Sequence, residues 1–262
     1  MKFAAFSKFA LALLTASVLT LTLVGCGSSD TLNLTQGNWA VTGTRTGGGA
    51  IANTTFYVGG SLTQSGKTVS GTMYIIGLSC FDSYSGVAFT GTVSGKTLTL
   101  TSPAIGGQVV TVTATGTNSA LTGTYSVAGG CDTGDTGTIT ANPVPSINGT
   151  WSGPIVGDSN GDPNASLAIA FTQAATASSD GTFAITGTLT YTGSTCSASG
   201  SINTGSYIVG PHLVISANTN DGGSLSYDGY LNSTTAPTSV FGNYSDAGGN
   251  CTDVLTATFT KH

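Results

Sequence analysis

The feature that most constrains this chain is that it repeats itself. Gly37-Asn38-Trp39 recurs as Gly149-Thr150-Trp151. Gly71-Thr72-Met73-Tyr74, leading to Cys80, recurs as Gly187-Thr188-Leu189-Thr190-Tyr191, leading to Cys196. Gly123-Thr124-Tyr125-Ser126, leading to Cys131, recurs as Gly242-Asn243-Tyr244-Ser245, leading to Cys251. The offset grows from 112 at the tryptophans to 116 and 120 at the cysteines, the drift of one ancestral unit that has taken small loop insertions. The organisation read from this is a signal segment at 1–25, a lipidated cysteine and polar tether at 26–36, a first repeat at 37–141, a linker at 142–147 and a second repeat at 148–262. The linker reads Asn142-Pro143-Val144-Pro145-Ser146, short and stiff.

Within each repeat, Thr, Val, Ile, Tyr and Phe recur at every second position between turns of Gly, Asn and Asp, as in Leu98-Thr99-Leu100-Thr101 and Phe183-Ala184-Ile185-Thr186. That alternation marks strands with one buried face, so the repeats are expected to be all-β. Eight strands are expected in each: near 39–46, 55–63, 68–76, 87–93, 97–101, 109–115, 121–127 and 137–140, then near 151–156, 166–173, 183–191, 197–204, 212–217, 224–231, 239–244 and 254–260. The connections are mostly short and Gly/Asn/Asp-rich, as hairpins require. Eight hairpin-linked strands can close into an up-and-down barrel that removes its own edges. The expected fold is two tandem eight-stranded meander barrels, with a β-sandwich as the alternative. An immunoglobulin sandwich also has two cysteines at this separation, but its tryptophan follows the first of them; Trp39 and Trp151 come before theirs.

An early G-x-W on the first strand followed by an eight-stranded meander resembles the calycins, the group of lipocalins and avidins. Gly37-Asn38-Trp39 and Gly149-Thr150-Trp151 carry the resemblance, and Leu121-Thr122-Gly123-Thr124-Tyr125 is similar to an avidin-like phrase. It implies barrels whose interior could hold a small ligand; read by themselves, Trp39 and Trp151 are core plugs at the barrel base. It implies no ligand residues in this chain.

The N-terminus reads as a targeting segment. Met1-Lys2 and Lys8 form a basic start, Phe9 to Val24 is apolar, and Leu23-Val24-Gly25-Cys26 ends it. Charged start, short apolar core and small residues before the cut define a signal peptide. A cut at a cysteine resembles the bacterial lipobox, which implies lipid on Cys26 and anchoring to a membrane, the outer one where the host has two. Export places the other cysteines in an oxidising compartment. Cys80 is expected to pair with Cys131, and Cys196 with Cys251, each closing a loop of about 50 residues worth about 4 kcal/mol if unstrained. In an up-and-down barrel both partners of each pair fall at the same end, so an open pocket is expected at the opposite end.

Charge excludes several partners. Charged residues are 6% of the chain, against about 25% in an ordinary domain. After Cys26, Arg45, Lys67, Lys96 and Lys261 face eleven aspartates, a net charge of −7, and glutamate is absent. Four scattered cations cannot neutralise a phosphate backbone, so nucleic acid is not a partner. No cofactor is expected.

The motifs that could carry chemistry read as turns. Gly157-Asp158-Ser159-Asn160-Gly161 matches G-x-S-x-G, but no helix follows to make the nucleophile elbow. Asp132-Thr133-Gly134 and Asp135-Thr136-Gly137 spell the aspartic-protease triplet twice, yet in one turn instead of two lobes. Asp158, Asn160 and Asp162 alternate like calcium ligands without the closing acidic residue such a loop uses. His212 and His262 are the only histidines, and Asp228 with Tyr230 or Asp82 with Tyr84 are the remaining pairs to watch. The expectation is that this is not an enzyme. Two functions fit: barrels that bind a small ligand, or filled barrels whose neutral Thr/Ser surface meets an envelope glycan or another envelope protein.

Overall fold

A computed structural model describes residues 31–47, 54–76, 86–155, 164–195, 197–248 and 251–262. These form one compact unit of two closed antiparallel β-barrels. The first contains β1 (Gly37–Gly47), β2 (Thr55–Ser65), β3 (Thr68–Ile76), β4 (Val87–Ser94), β5 (Thr97–Thr101), β6 (Val109–Thr117), β7 (Ala120–Ala128) and β8 (Thr136–Pro143). Each strand pairs with the next, and β1 closes on β8, Trp39 opposite Pro143 and Gly43 opposite Ile139.

The second barrel contains β9 (Gly149–Pro154), β10 (Ser166–Gln173), β11 (Phe183–Thr192), β12 (Ser199–Ile202), β13 (Tyr207–Val209), β14 (His212–Thr219), β15 (Ser224–Leu231), β16 (Ser239–Gly248) and β17 (Cys251–Lys261). It closes through β9, which pairs with both β10 and β17. β12 and β13 both lie between β11 and β14, so they are two pieces of one strand. The expected strand at 197–204 is thus longer and broken at residues 203–206, where Asn203, Thr204 and Gly205 make a turn. The barrel still has eight strand positions, as the repeat predicts.

Alternation sets the polarity of the walls. In β15 every odd side chain from Leu225 to Leu231 is buried and every even one from Ser224 to Tyr230 exposed. Both barrels are therefore apolar inside and hydroxyl-rich outside, the inverse of a membrane-spanning barrel. The interiors are separate hydrophobic cores.

The base of each barrel is closed by the segment that precedes it. Residues 31–36, expected to be a polar tether, cross beneath the first barrel with Leu32 and Leu34 buried. The Leu32 amide donates to Gly95 O (2.8 Å) and the Thr35 amide to Asn118 O (3.2 Å), tying the segment to the β4–β5 and β6–β7 turns. Gln64 clamps it from β2: its Oε1 accepts from the Leu34 amide (2.8 Å) and its Nε2 donates to Leu32 O (3.0 Å). Trp39 then donates its indole N–H to Thr35 O (2.7 Å). The second barrel repeats the device. Val144 and Ile147, from the expected linker, are buried beneath it. Gln173 Oε1 accepts from the Ile147 amide (3.1 Å) and Trp151 donates to Ile147 O (2.8 Å). The expected open pocket at this end is therefore corrected: the base is the sealed end, because a buried leucine pair and a glutamine clamp fill it.

Candidate functional site

Among the described residues, large side chains crowd both barrel interiors. In the second, Trp151, Phe183, Tyr227, Tyr244 and Phe259 occupy the core at 2% exposure or less. The first, with fewer rings, keeps a cavity of about 80 Å³ lined only by apolar side chains and Tyr125. Drug-sized ligands occupy about 300–1,000 Å³.

A polar cluster, with Arg45 and Asp135 buried, lies at the upper end of the first barrel. Arg45 points in from β1, its Nε 3.3 Å from Asp135 and its Nη2 3.8 Å from Asp132. Tyr125 donates its hydroxyl to Asp135 (3.2 Å) and packs edge-on against Phe56. The two D-T-G aspartates thus serve one arginine in a closed turn. In the second barrel the matching Tyr244 donates to Asp246 (3.2 Å), also buried. Burial holds the Tyr125 and Tyr244 hydroxyls far above their ordinary pKa, and Asp135 or Asp246 beside each adds to this. Burial also raises the Asp135 carboxyl, with Arg45 opposing.

The Asp135 shift has a definite sign in stability. A carboxyl whose folded pKa is raised takes up its proton earlier in the folded state, so its contribution grows as pH falls toward the ordinary carboxylate range and is lost as pH rises through the folded value. Asp135→Asn should remove that slope, at most about 1.4 kcal/mol per pH unit for one proton. Urea unfolding of both proteins from neutral to mildly acid pH checks it; a difference that stays constant across the series refutes it.

A large concave surface lies between the barrels. The base of the second barrel is docked against β1 and β2 of the first. Asn38, itself buried, donates from Nδ2 to Gly210 O (2.9 Å) and accepts from the Gly210 amide (2.7 Å). The Val144 amide donates to Asn38 O (2.8 Å). Gly59 on β2 meets Gly210 backbone to backbone; a Cβ on Gly59 would come within 2.5 Å of the Gly210 nitrogen. Gly181 packs in the same way on Thr72. Ala40 of β1 belongs to the core of the second barrel.

Beside this contact runs a groove of about 820 Å³. One wall is β1 and β2, with Thr42, Thr55 and Tyr57; the other is Pro211, Tyr230 and the Asn232–Thr234 turn. Among the described residues no charged side chain lines it. Tyr57 and Tyr230 are 58% and 50% exposed, two of the four large hydrophobic residues exposed among the described residues. Tyr230 is held in place: its ring stacks on His212 at 4.6 Å and 14°, and His212 Nε2 is 2.8 Å from Asp228 Oδ1. Tyr207 meets His212 edge-on. The adjoining turn is held too, because Asn232 Oδ1 accepts from the amides of Thr238 (3.0 Å) and Ser239 (3.1 Å).

The structure therefore brings together His212, Asp228 and Tyr230, separate in the sequence, as the support of a ring platform. It separates His262, which bonds Ser152 on another face at 2.7 Å. Cys26, Cys80, Cys196, Asp82, Tyr84, Asp158, Ser159, Asn160 and Asp162 lie outside the described residues, as does the side chain of Cys251. Among the described residues no group of three His, Cys, Asp or Glu is placed to hold a metal. Arg45 and Tyr57 were not singled out by sequence reasoning; Arg45 had a signal, as the only cation before residue 67 after Cys26, while Tyr57 had none. Compared with known proteins, the chain matches no family, and no curated protein or solved structure is significantly similar to it.

Proposed function

We propose that this chain is an envelope lipoprotein, anchored to a membrane through lipid on Cys26, whose two-barrel body binds neutral oligosaccharide in the groove between the barrels. One observation carries the reading: a groove of ligand size, without a charged lining residue among the described residues, flanked by Tyr57 and Tyr230 and by Thr and Ser hydroxyls and the Asn232 side chain. The C–H faces of sugar rings pack on aromatic faces, and their hydroxyls exchange hydrogen bonds with Thr, Ser and Asn. Phosphates and carboxylates would find no cation there. The proposed disulfides Cys80–Cys131 and Cys196–Cys251 would fit the oxidising compartment. The outer membrane is the favoured location.

A glycan-panel titration of the full chain, extracted from its host envelope in a sugar-free detergent, tests the reading. The intact mass of the same sample reads the acyl groups on Cys26. Tyr57→Ala and Tyr230→Ala should each weaken binding about tenfold, the loss of one ring contact of roughly 1.4 kcal/mol. Unchanged affinity in both variants, or no glycan bound by the wild type, overturns it. A second reading rests on the 80 Å³ cavity of the first barrel: a site for a small apolar molecule, which xenon or benzene uptake would reveal.

A further inference from the structure

We infer that the base of the first barrel is a membrane-contact face, with Lys67 and Lys96 seating it on the anionic phospholipid headgroups around the lipid anchor. This rests on the Cys26 anchor proposed above and says what the protein meets there. Strand direction fixes which residues reach that end. β1 starts at the base, where Gly37 pairs with Leu62 near the end of β2. The β2–β3, β4–β5 and β6–β7 turns therefore all lie at the base. Two of them carry a lysine at the tip, Gly66-Lys67 and Gly95-Lys96, and both lysines are exposed. The chain leaves for Cys26 between these two turns. The Leu32 amide donates to Gly95 O, next to Lys96. Gln64 Nε2 donates to both Leu32 O (3.0 Å) and Gly66 O (2.8 Å), next to Lys67. The two lysines thus flank the exit point.

Chain length brings a surface to this face, and charge says which kind. Leu32 is six residues from Cys26, a reach of at most about 20 Å. Lipid on Cys26 therefore holds the base beside the headgroups, at a high effective concentration before any contact is made. The chain carries a net charge of −7 after Cys26, yet its cations are segregated. Arg45 is buried at the upper end with Asp132 and Asp135. Lys67 and Lys96 are at the base, and Lys261 Nζ donates to Ser146 O in the linker that leaves the same end. Among the described residues no aspartate stands in the three base turns; Asp30, two residues before Leu32, is the acidic residue nearest in sequence. Charges farther off than about 8 Å are screened at physiological salt, so an anionic surface at the base meets the lysines before the other aspartates. Thr42 and Tyr57 pair five residues up β1 from Gly37, so the seated end is not a wall of the groove.

The test is millisecond amide hydrogen exchange on the host-extracted full chain, reconstituted into vesicles of phosphatidylcholine alone or mixed with phosphatidylglycerol. Exchange in the base turns, residues 65–68 and 94–97, should slow about fivefold on the anionic vesicles, the factor that roughly 1 kcal/mol per lysine gives. The upper connections, residues 102–108 and 129–135, should exchange equally on both. The slowing should vanish in about 1 M salt, where screening shortens to about 3 Å, and in the double variant Lys67→Gln, Lys96→Gln. Base turns that exchange equally on both vesicles, slowing that extends to the upper connections, or slowing that survives in the double variant would each overturn the contact face. If the intact mass then shows acyl groups on Cys26, the anchor reading still stands. A chain without them would overturn both.

Discussion

Replacing Trp151 by alanine is expected to cost the second barrel about 3–5 kcal/mol of stability, the largest single effect in the molecule. Trp151 has no exposed surface, and three kinds of contact end with it. Its indole N–H satisfies Ile147 O, so alanine leaves that carbonyl without its donor at the barrel base. Its ring meets Phe171 edge-on at 6.3 Å and lies 5.6 Å beneath Lys261 Nζ. The remaining cost is the cavity, which cannot collapse because the surrounding strands are closed into a ring. The chain has only two tryptophans, one in each barrel. In Trp151→Ala, fluorescence therefore reports the first barrel through Trp39, while far-ultraviolet circular dichroism reports both. The expected result is a denaturant transition in the dichroism that precedes the fluorescence transition. Coincident transitions, with a midpoint near that of the wild type, would show that the base plug is dispensable.

Much of this architecture was legible in the sequence, for one reason. Strand alternation and hairpin turns are local signals, and the repeat let each half check the other. The strands near 55–63, 68–76 and 224–231 lie within a residue or two of β2, β3 and β15. What was not legible depends on contacts distant in the chain. Leu32 and Leu34 stand among Thr, Asn and Gln, so composition reads the segment as a tether; only the return of Gln64 from β2 makes it a plug. The break at 203–206 carries Asn203-Thr204-Gly205, which reads as a strand end. It is instead an interruption, since Tyr207–Val209 resumes pairing with β11 and β14. The groove had no local signature, because Tyr57 and Tyr230 come from different barrels and are brought together only by docking. His212 and Asp228, sixteen residues apart, meet because β14 and β15 pair.

Docking is thus the step on which the site depends, and Gly59 is where it is most exposed to a single change. Gly59→Val should separate the barrels and abolish binding in the groove. A side chain at Gly59 would enter the Gly210 backbone, with the first added carbon 2.5 Å from its nitrogen and 2.7 Å from the carbonyl carbon of Val209. Gly210 cannot yield easily. It occupies the left-handed region (φ +55°) in the turn between β13 and β14, its amide and carbonyl are both bound by Asn38, and a flexible side chain is not what is being displaced. Relief requires the barrels to move apart, which breaks both Asn38 bonds and uncovers Ala40. Overpacking of this kind costs about 1–3 kcal/mol, and the unpaired buried amide of Asn38 adds about 1–3 kcal/mol. Each barrel keeps its closed ladder, so the dichroism should be preserved while small-angle scattering shows a longer particle and glycan affinity falls by more than tenfold. Asn38→Ala, which removes the bonds without a clash, should fall between the two. If Gly59→Val binds glycan as the wild type does and scatters identically, the site is not made by the meeting of the barrels, and one of the two tyrosines must carry it on its own barrel.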